Sequence, residues 1–292
     1  MPKPPRKAVF PVGGLGTRFL PATKSVPKEM LPVVDKPLIQ YAVEEARSAG
    51  IEHFIFVTGR GKSAIEDHFD IAFELQEMLG ARGKTAEIDT VNGWLPRAGE
   101  VSYTRQPDAS GLGHAVWCAR HLVGDEPFVV VLPDDLIRAE RPCLGQMLEA
   151  HAEVGGNMVA VMDVAPEHTA RYGVVDPGRQ QGRLIEVRGL VEKPDPAVAP
   201  SNYAVIGRYV LMPEVFEHLD RHERGAGGEI QITDALARMI GVAPFHGYLF
   251  EGERFDCGDR VGYLEANIRF ALDRPDMRAE LAPFIAAIAE TL

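Results

Sequence analysis

Residues 12–32 of the chain, VGGLGTRFLPATKSVPKEMLP, combine glycines and cations at a spacing that could bind phosphate. Glycine has no side chain, so backbone N–H groups at Gly14 and Gly16 can approach a ligand closely. Arg18 and Lys28 follow within 15 residues and carry positive charge. The segment could therefore bind and neutralise an anion, although its composition alone is equally compatible with a βα turn that carries solvated basic side chains.

Neither of the two common phosphate-binding motifs accounts for this segment. The loop lacks the third glycine of the dinucleotide-binding fingerprint, and no Gly-Lys-Ser/Thr sequence follows it as in a P-loop. The formal net charge is −11, which argues against a general nucleic-acid-binding protein. Residues 1–36 nevertheless contain seven Lys or Arg and only two acidic residues. This local excess predicts a focused site for a small, highly charged anion.

The composition of the 292 residues predicts a folded, cytoplasmic protein with a substantial core. The longest apolar runs, such as residues 128–132, are too short to cross a membrane. The apolar stretch after the first basic residues is too short for an export signal. Three cysteines, Cys118, Cys143 and Cys257, argue against a disulfide framework and favour a reducing compartment.

Alternating strands and helices are predicted to position the anion site in the first half of the chain. Short apolar segments predict strands at residues 8–12, 54–58, 101–104 and 128–132. Apolar residues at helical spacing predict helices at residues 37–49, 63 to about 79, and near 114–122. Ser63 and Glu66 have capping-box spacing. This βαβ succession indicates a doubly wound sheet, which binds ligands at the C-terminal ends of its strands.

The second half of the chain has a less regular pattern. Its apolar segments predict strands at residues 158–164, 173–176, 184–192 and 203–212. Helical spacing predicts helices at residues 229–240, 261–272 and 277–290. Residues 80–99 are interpreted as an insertion or a long connection. No internal repeat or low-complexity linker divides the sequence into independent domains.

A family resemblance is carried by the string GLGTRFLPATKSVPKEMLPVVDKP, residues 14–37. It resembles the signature of the sugar-1-phosphate nucleotidyltransferases, most closely their bacterial uridylyl-transferring branch. Further segments resemble the family in order and spacing: YTRQPDASGLGHAV (103–116), VVVLPDDL (129–136), RYGVVD (171–176), VEKP (191–194), SNYAVIGRYVL (201–211), GGEIQITDA (227–235) and FDCGD (255–259). Together they cover most of residues 8–272.

The resemblance implies an α/β fold with a Rossmann-like, mixed but mainly parallel sheet, flanked by helices and carrying sugar-binding β insertions. It implies one nucleotidyltransferase domain over residues 1–292. Within it, a nucleotide-binding half lies at about 1–140, a sugar-binding half at about 141–272, and a C-terminal helix at 275–292. C-terminal helices often serve assembly in this family, so a homo-oligomer is expected. The apolar spacing of Leu281, Phe284, Ile285 and Ile288 is equally explained by packing within one chain.

The resemblance also implies an activity. The expected reaction is the Mg²⁺-dependent transfer of UMP from UTP to glucose 1-phosphate, which gives UDP-glucose and pyrophosphate by direct in-line attack. No nucleic-acid or membrane partner is expected. One alternative is the same chemistry with dTTP or another sugar 1-phosphate. An alternative of another class is a catalytically silent regulator that binds nucleotide sugars.

Site residues follow from the motif match, position by position. Arg18 and Lys28 are expected to act on the triphosphate and to neutralise the leaving pyrophosphate. The nucleotide is expected to contact Gly13, Gly14 and Gly16 through its phosphates, and Gln106 and Gly111 through its base. The sugar phosphate is expected to contact Gly173, Glu192 and Lys193. Asp134 and Asp256 are expected to bind Mg²⁺, and Asp135 is the rival of Asp134 because it is adjacent in sequence.

Two of these expectations carry conditions. Neighbouring side chains of an extended strand point to opposite faces, so Glu192 and Lys193 can both reach a sugar phosphate only if the backbone is irregular near Pro194. His114, Cys118 and His121 lie on one face of a predicted helix and could imitate a metal site. A helix beside the base-binding turn is the simpler explanation of that pattern.

Overall fold

The computed structural model describes residues 3–291. Its strands are β1 Lys7–Pro11, β2 Pro32–Val33, β3 Lys36–Pro37, β4 His53–Thr58, β5 Val101–Arg105, β6 Phe128–Val131, β7 Asp135–Arg138, β8 Asn157–Asp163, β9 Gly173–Gln181, β10 Leu184–Glu192, β11 Tyr203–Leu211, β12 Phe245–Leu249 and β13 Glu253–Asp256. Its helices are α1 Leu38–Ser48, α2 Ser63–His68, α3 Phe73–Ala81, α4 Thr85–Asn92, α5 Leu112–Cys118, α6 Arg120–Val123, α7 Cys143–Val154, α8 Val215–Leu219, α9 Ile232–Ala237, α10 Arg260–Asp273 and α11 Pro275–Ala289.

A nine-stranded sheet forms the centre of the fold, in the order β5-β4-β1-β6-β11-β8-β12-β10-β9. Seven strands run in one direction, and β10 and β11 run in the other. The expected α/β fold with a mixed, mainly parallel sheet is confirmed. The division into two halves stays a prediction. In the sheet, β11 from the second half pairs directly with β6 from the first.

The chain reverses its direction of travel across the sheet beside β1. It passes from β1 outward through β4 to β5, and then returns to the opposite side of β1 at β6. In open α/β sheets, the crevice at such a switch point is where ligands bind, at the C-terminal ends of the strands. The glycine-rich loop follows β1 and Asp134 follows β6, so both lie at this crevice.

Hydrophobic packing covers both faces of the sheet. Along β6, Val130 packs into the cluster on one face, whereas Val129 and Val131 pack into the cluster on the other. Helix α5 contributes Val116 to the first cluster, and helix α1 contributes Val43 to the second. The prediction that the continuous apolar run at 128–132 is a central buried strand is confirmed.

Several predictions of local structure differ from what is observed. The capping box is wrong, because helix α2 begins at Ser63 itself and no side chain caps it. The helix expected from 63 to 79 is interrupted after α2, where Phe69 turns inward and packs against Phe56, with ring centroids 4.7 Å apart. The helix expected at 229–240 shortens to α9, because Ile230 pairs its backbone with Ser110 and Gly113 at 2.8 and 2.9 Å.

Several elements carry no clear sequence signal. Residues 80–99 are not a plain connection, since they contain α4. Strands β7 and β13 are short and rich in charge, and they pair with each other in a small separate sheet. This pairing places Asp256 opposite Asp135 and so brings two distant motifs together. Among residues 3–291, none of the helices combines the length and hydropathy that a membrane span requires.

Candidate active site

A pocket of about 420 Å³ opens at the switch point of the sheet. It is bounded by the loop after β1, by the turn before α5 and by the residues that follow β6. Most residues expected to contact the nucleotide line it, together with one of the expected metal ligands: Gly13, Gly14, Gly16, Lys28, Gln106, Gly111 and Asp134. Of these residues, Gly13 and Asp134 are 121 positions apart in sequence, so distant segments meet in one cavity.

The glycine-rich loop packs directly on the segment that carries Lys28. Gly16 has a φ of 64°, and a Cβ there would lie only 3.2 Å from the Lys28 side chain and 3.3 Å from Thr23. The Thr23 hydroxyl donates a 2.7 Å hydrogen bond to the Gly16 carbonyl. A side chain at this position would push Lys28 away from the loop, so glycine is needed for the close approach of the two segments.

Lys28 forms an ion pair with Asp134 across the pocket. Burial acts to raise the pKa of Asp134, but the charge and hydrogen bond of Lys28 outweigh it and hold that pKa below its ordinary value. Burial acts to lower the pKa of Lys28, but Asp134 and Glu29 outweigh it and raise that pKa. Both groups are therefore charged at neutral pH and present one cation and one carboxylate to a ligand.

Gly258 marks the point where Asp134, Asp256 and Arg18 converge. A Cβ at Gly258 would lie 3.0 Å from Oδ2 of Asp134, 3.1 Å from Oδ1 of Asp256 and 3.6 Å from Nη1 of Arg18. The Arg18 guanidinium also donates to the Gly258 carbonyl at 3.3 Å. The two expected metal ligands thus face a common position, and Arg18 stands beside them.

Asp135, the rival ligand, is engaged inside the protein. It is 7% exposed and accepts hydrogen bonds from the Gly207 N–H at 2.8 Å and from Arg254 at 2.5 Å. Burial raises the pKa of Asp135, and Arg254 compensates only in part. Since Asp134 lines the pocket and Asp135 does not, the geometry favours Asp134 as the residue available to a ligand.

The three expected sugar-phosphate residues lie together at the ends of β9 and β10. Glu192 accepts a 2.7 Å hydrogen bond from Thr233, and a Cβ at Gly173 would lie 3.2 Å from the same carboxylate. Lys193 has a φ of 48°, and its Nζ lies 3.3 Å from the carboxylate of Glu192. The backbone irregularity that the sequence required for this arrangement is present, and it occurs at Lys193 itself. It lets both side chains turn to the same side.

One end of the pocket, where the contact with the base is expected, is organised around Gln106 and Gly111. Gln106 donates from Nε2 to the Gly111 carbonyl at 3.0 Å, and the same nitrogen lies 3.1 Å from Nδ1 of His114. Gly111 has a φ of 108°, and a Cβ there would lie 2.7 Å from the Ile230 carbonyl oxygen. Nε2 of His114 lies 4.0 Å from Sγ of Cys118. Within residues 3–291, no three His, Cys, Asp or Glu side chains form a group that could hold a metal ion.

The model of the nucleotidyl transferase family matches residues 7–271 of the sequence, which include every one of these site residues. This chain belongs to the nucleotidyl transferase family.

Other nucleotidyl transferases match nearly the whole chain. A UTP–glucose-1-phosphate uridylyltransferase from Komagataeibacter xylinus is 52% identical over 261 residues, which cover 89% of this chain and 92% of that protein. The UTP-bound UGPase from Acinetobacter baumannii superposes with a TM-score of 0.90 at 39% identity, covering 97% of this chain and 99% of the other. A UDP-glucose pyrophosphorylase complexed with UDP-glucose superposes with a TM-score of 0.83 at 43% identity, and the match covers 92% of this chain and 100% of the other. The resemblance inferred from the sequence is confirmed.

Some residues of this nucleotidyl transferase site were not expected from the sequence. Glu29 is 1% exposed, borders the pocket and pairs with the buried Lys62 at 2.8 Å. Arg171 donates a 3.0 Å hydrogen bond to Asp256, and Thr233 holds Glu192 as described. Glu29, Arg171 and Thr233 belong to strings that resemble the family, whereas Lys62 lies outside all of them. Isolated charged or hydroxyl residues are, however, ordinarily solvated, so their type and spacing gave no signal of these contacts.

Proposed function

We propose that this nucleotidyl transferase transfers UMP from UTP to glucose 1-phosphate and releases UDP-glucose and pyrophosphate. The observation that carries the proposal is the similarity, over nearly the full chain, to proteins named for this activity. The pocket geometry supports it, because the glycine-rich loop, the Gln106–Gly111 end and Asp134 line one pocket at the switch point of the sheet.

The chemistry needs no general base. A phosphate oxygen of glucose 1-phosphate is already anionic, and it attacks the α-phosphorus of UTP in line with the leaving group. The new P–O bond forms as the bond between the α- and β-phosphates breaks, and pyrophosphate departs with the electron pair. Catalysis then rests on positioning and on neutralising charge, which cationic side chains and backbone N–H groups can supply.

Each subsite has a proposed role in this reaction. The glycine loop holds the phosphates, Arg18 binds their β/γ end, and Lys28 contacts the oxygens on which charge grows. The base contacts Gln106 and the backbone of Gly111. The glucose 1-phosphate contacts the remaining group, Gly173, Glu192 and Lys193. What supports these roles is that Lys28 faces the glycine loop across one cavity, while Lys193 and Glu192 present a cation and an acceptor together.

Nucleotidyl transferases of this family generally use a divalent metal, and we propose Mg²⁺ held by Asp134 and Asp256. Carboxylate oxygens suit Mg²⁺, and one or two carboxylates suffice when substrate phosphates complete the coordination. Both carboxylates face the position beside Gly258, so the residues fit such an ion. Each carboxylate is also ion-paired, with Lys28 or Arg171, so these cations must share or release it. The bound ion would neutralise phosphate charge during transfer.

A substrate panel tests the proposed activity. In the presence of Mg²⁺, we expect pyrophosphate release to be fastest with UTP plus glucose 1-phosphate, and chelation of the metal to abolish it. A coupled pyrophosphate assay with each nucleoside triphosphate and several sugar 1-phosphates measures this.

Two results, one from the panel and one from a binding and exchange measurement, would contradict the proposal. Faster turnover with dTTP or another sugar 1-phosphate would favour the related transferases. The contrast between uracil and thymine rests on one methyl group and is worth only about 1–3 kcal/mol. Tight UDP-glucose binding without exchange of labelled pyrophosphate would favour a silent regulator. The presence of Arg18, Lys28, Asp134 and Asp256 around one crevice supports the active enzyme.

A cytoplasmic location is part of the proposal. The three cysteines are free, with Cys143 and Cys257 buried and Cys118 partly exposed. Free thiols are typical of a reducing compartment.

We also propose that a second copy of the chain covers an apolar surface on the last two helices. On α10, Val261, Leu264 and Ile268 lie at helical spacing and are 64%, 59% and 43% exposed. On α11, Leu281 and Ile285 are half-buried, whereas Phe284 and Ile288 are 61% and 44% exposed. Packing within one chain therefore covers only part of the apolar face, and contiguous exposed apolar surface favours an interface.

The variant Leu264→Glu/Phe284→Glu is expected to lower the solution mass from that of an oligomer to that of one chain. Two charges in an apolar interface remain unpaired and oppose association. Multi-angle light scattering measures the mass, and Val198→Glu is the control because Val198 is 76% exposed elsewhere on the surface. A wild-type protein that is monomeric at micromolar concentration contradicts this assignment.

A further inference from the structure

We propose that His114 is a positioning residue that orients the amide of Gln106, so that the amide oxygen faces the base and selects uracil over cytosine. This inference rests on the proposed function, because it deepens the recognition of UTP. It explains a histidine whose spacing with Cys118 could imitate a metal ligand and which the transfer chemistry itself does not need.

The backbone fixes which way the Gln106 amide points. The Gly111 carbonyl can only accept a hydrogen bond, and the Gln106 nitrogen that donates to it lies 3.0 Å away. The backbone N–H of Gln106 is itself anchored to the Thr58 carbonyl at 2.9 Å. The amide oxygen is left on the other side, where it would lie 3.2 Å from a Cβ at Gly13. It therefore points toward the glycine loop and into the pocket.

The same geometry fixes the tautomer of His114. Both hydrogens of the Gln106 amide nitrogen are used if the second is donated to Nδ1 of His114, which is 3.1 Å away. Nδ1 must then accept, so the imidazole is neutral and carries its proton on Nε2. Nε2 faces the sulfur of Cys118 at 4.0 Å. Because both amide hydrogens are donated to protein acceptors, the Gln106 nitrogen has no hydrogen left to donate to the ligand.

Aromatic packing holds the imidazole in place for this task. The ring of His114 stacks on Trp117, with centroids 5.7 Å apart and an interplanar angle of 18°. The ring of His222 approaches His114 edge-on at 5.7 Å. Trp117 is fixed in turn by a 3.1 Å hydrogen bond to Asp220 and by the guanidinium of Arg120 over its ring. The acceptor atom is therefore presented by a supported side chain.

Base chemistry gives this orientation its consequence. Uracil carries a hydrogen on N3, which an amide oxygen can accept, whereas N3 of cytosine is itself an acceptor. A fixed oxygen at this position pairs with uracil and opposes cytosine. A freely rotating amide would serve both bases, since either end could turn to the ligand. Thymine shares the N3 hydrogen, so His114 contributes nothing to the choice between UTP and dTTP.

Protonation of His114 should disable this arrangement. An N–H on Nδ1 would confront the Gln106 N–H, and the amide would turn to offer its oxygen to His114 instead. Burial lowers the pKa of His114, and the charges of His222 and Arg224 lower it further, while Asp108 acts in the opposite direction. Cys118, Asp220 and Arg120 are the other titratable or charged groups around the ring cluster. The imidazole is therefore neutral at pH 7, and UTP affinity should fall as the pH drops through this lowered pKa.

Three variants separate this role from a structural one. An asparagine at position 114 would place an acceptor near the position of Nδ1 and cannot be protonated, whereas a leucine there would remove the acceptor. We expect His114→Leu to lower the ratio of UTP to CTP affinity about 10- to 100-fold, the range for one unpaired hydrogen-bonding group. His114→Asn should keep the wild-type ratio but lose the additional weakening that the wild type shows as the pH falls below 6.5, the ordinary pKa of histidine, from which that of His114 is lowered. His121→Leu, which changes an exposed histidine on α6, should behave as the wild type.

Calorimetric binding of UTP and CTP to each full-length variant measures the ratio without turnover. A ratio unchanged in His114→Leu, or equally reduced in His114→Asn, would overturn the proposal. The KM of glucose 1-phosphate should stay unchanged in all three variants, whereas a general distortion of the active site would raise it. Absence of UTP turnover in the wild type would contradict the proposed function, whereas normal wild-type turnover with indifferent variants would contradict only the role of His114.

Discussion

The variant Lys28→Ala is expected to lower the turnover of UTP and glucose 1-phosphate about 10²- to 10³-fold while the protein stays folded. Lys28 borders the glycine loop, pairs with Asp134 and is charged at neutral pH. It can therefore neutralise phosphate oxygens as the bond to the leaving pyrophosphate breaks. Such a contact is stronger in the transition state than in the ground state, so its loss should reduce kcat more than it raises KM.

Lys24→Ala is the matched control for this variant. Lys24 belongs to the same basic segment, and removing it causes the same change in net charge, but its side chain is exposed. Initial rates at saturating substrate and a thermal melt of each protein measure activity and folding. Near-normal turnover in Lys28→Ala, or an equal loss in Lys24→Ala, would show that Lys28 has no specific catalytic role.

The variant Glu45→Ala is expected to cost about 3–5 kcal/mol of unfolding free energy. Arg208 is 1% exposed, and its guanidinium donates to both carboxylate oxygens of Glu45. The same guanidinium donates to the carbonyls of Leu132 and Asp135 at 3.0 and 2.9 Å, which flank Asp134. Removing Glu45 leaves a buried, uncompensated cation directly behind the site. Urea denaturation followed by circular dichroism measures the free energy.

Glu44→Ala provides the comparison for this change. Glu44 is next in sequence to Glu45 but pairs with Lys36 at the surface, where an ion pair contributes about 0–1 kcal/mol. The double variant Glu45→Leu/Arg208→Met should recover part of the lost stability, because a buried ion pair can be replaced by apolar side chains. Equal effects of Glu44→Ala and Glu45→Ala would contradict the assignment.

The sequence predicted the central elements well, because their signals are local. Strand β10 was predicted at its observed bounds, and β1, β4, β5 and β8 within one residue at each end. Strands β7 and β13 were missed because they are short and charged, and their pairing depends on each other rather than on a local pattern. The end of α2 was missed because it depends on where Phe69 packs.

Sequence by itself determined the doubly wound architecture, the glycine-rich loop after β1 and the family to which the chain belongs. Only the tertiary structure decided which charges meet. Lys28 pairs with Asp134, which is 106 residues away in sequence. Arg171 pairs with Asp256 over 85 residues, and Glu45 pairs with Arg208 over 163 residues. It also decided that Asp135 is engaged internally while Asp134 borders the pocket.

The physical reason is that the type of a charged or amide side chain does not determine which distant residue it will contact. Periodicity reports which face of an element is buried, whereas ion pairing and amide orientation depend on distance and on the acceptors that folding brings near. The amide of Gln106 is the clearest case. The motif match predicted a base contact, but the Gly111 carbonyl and the ring of His114 decide which end of the amide faces the pocket.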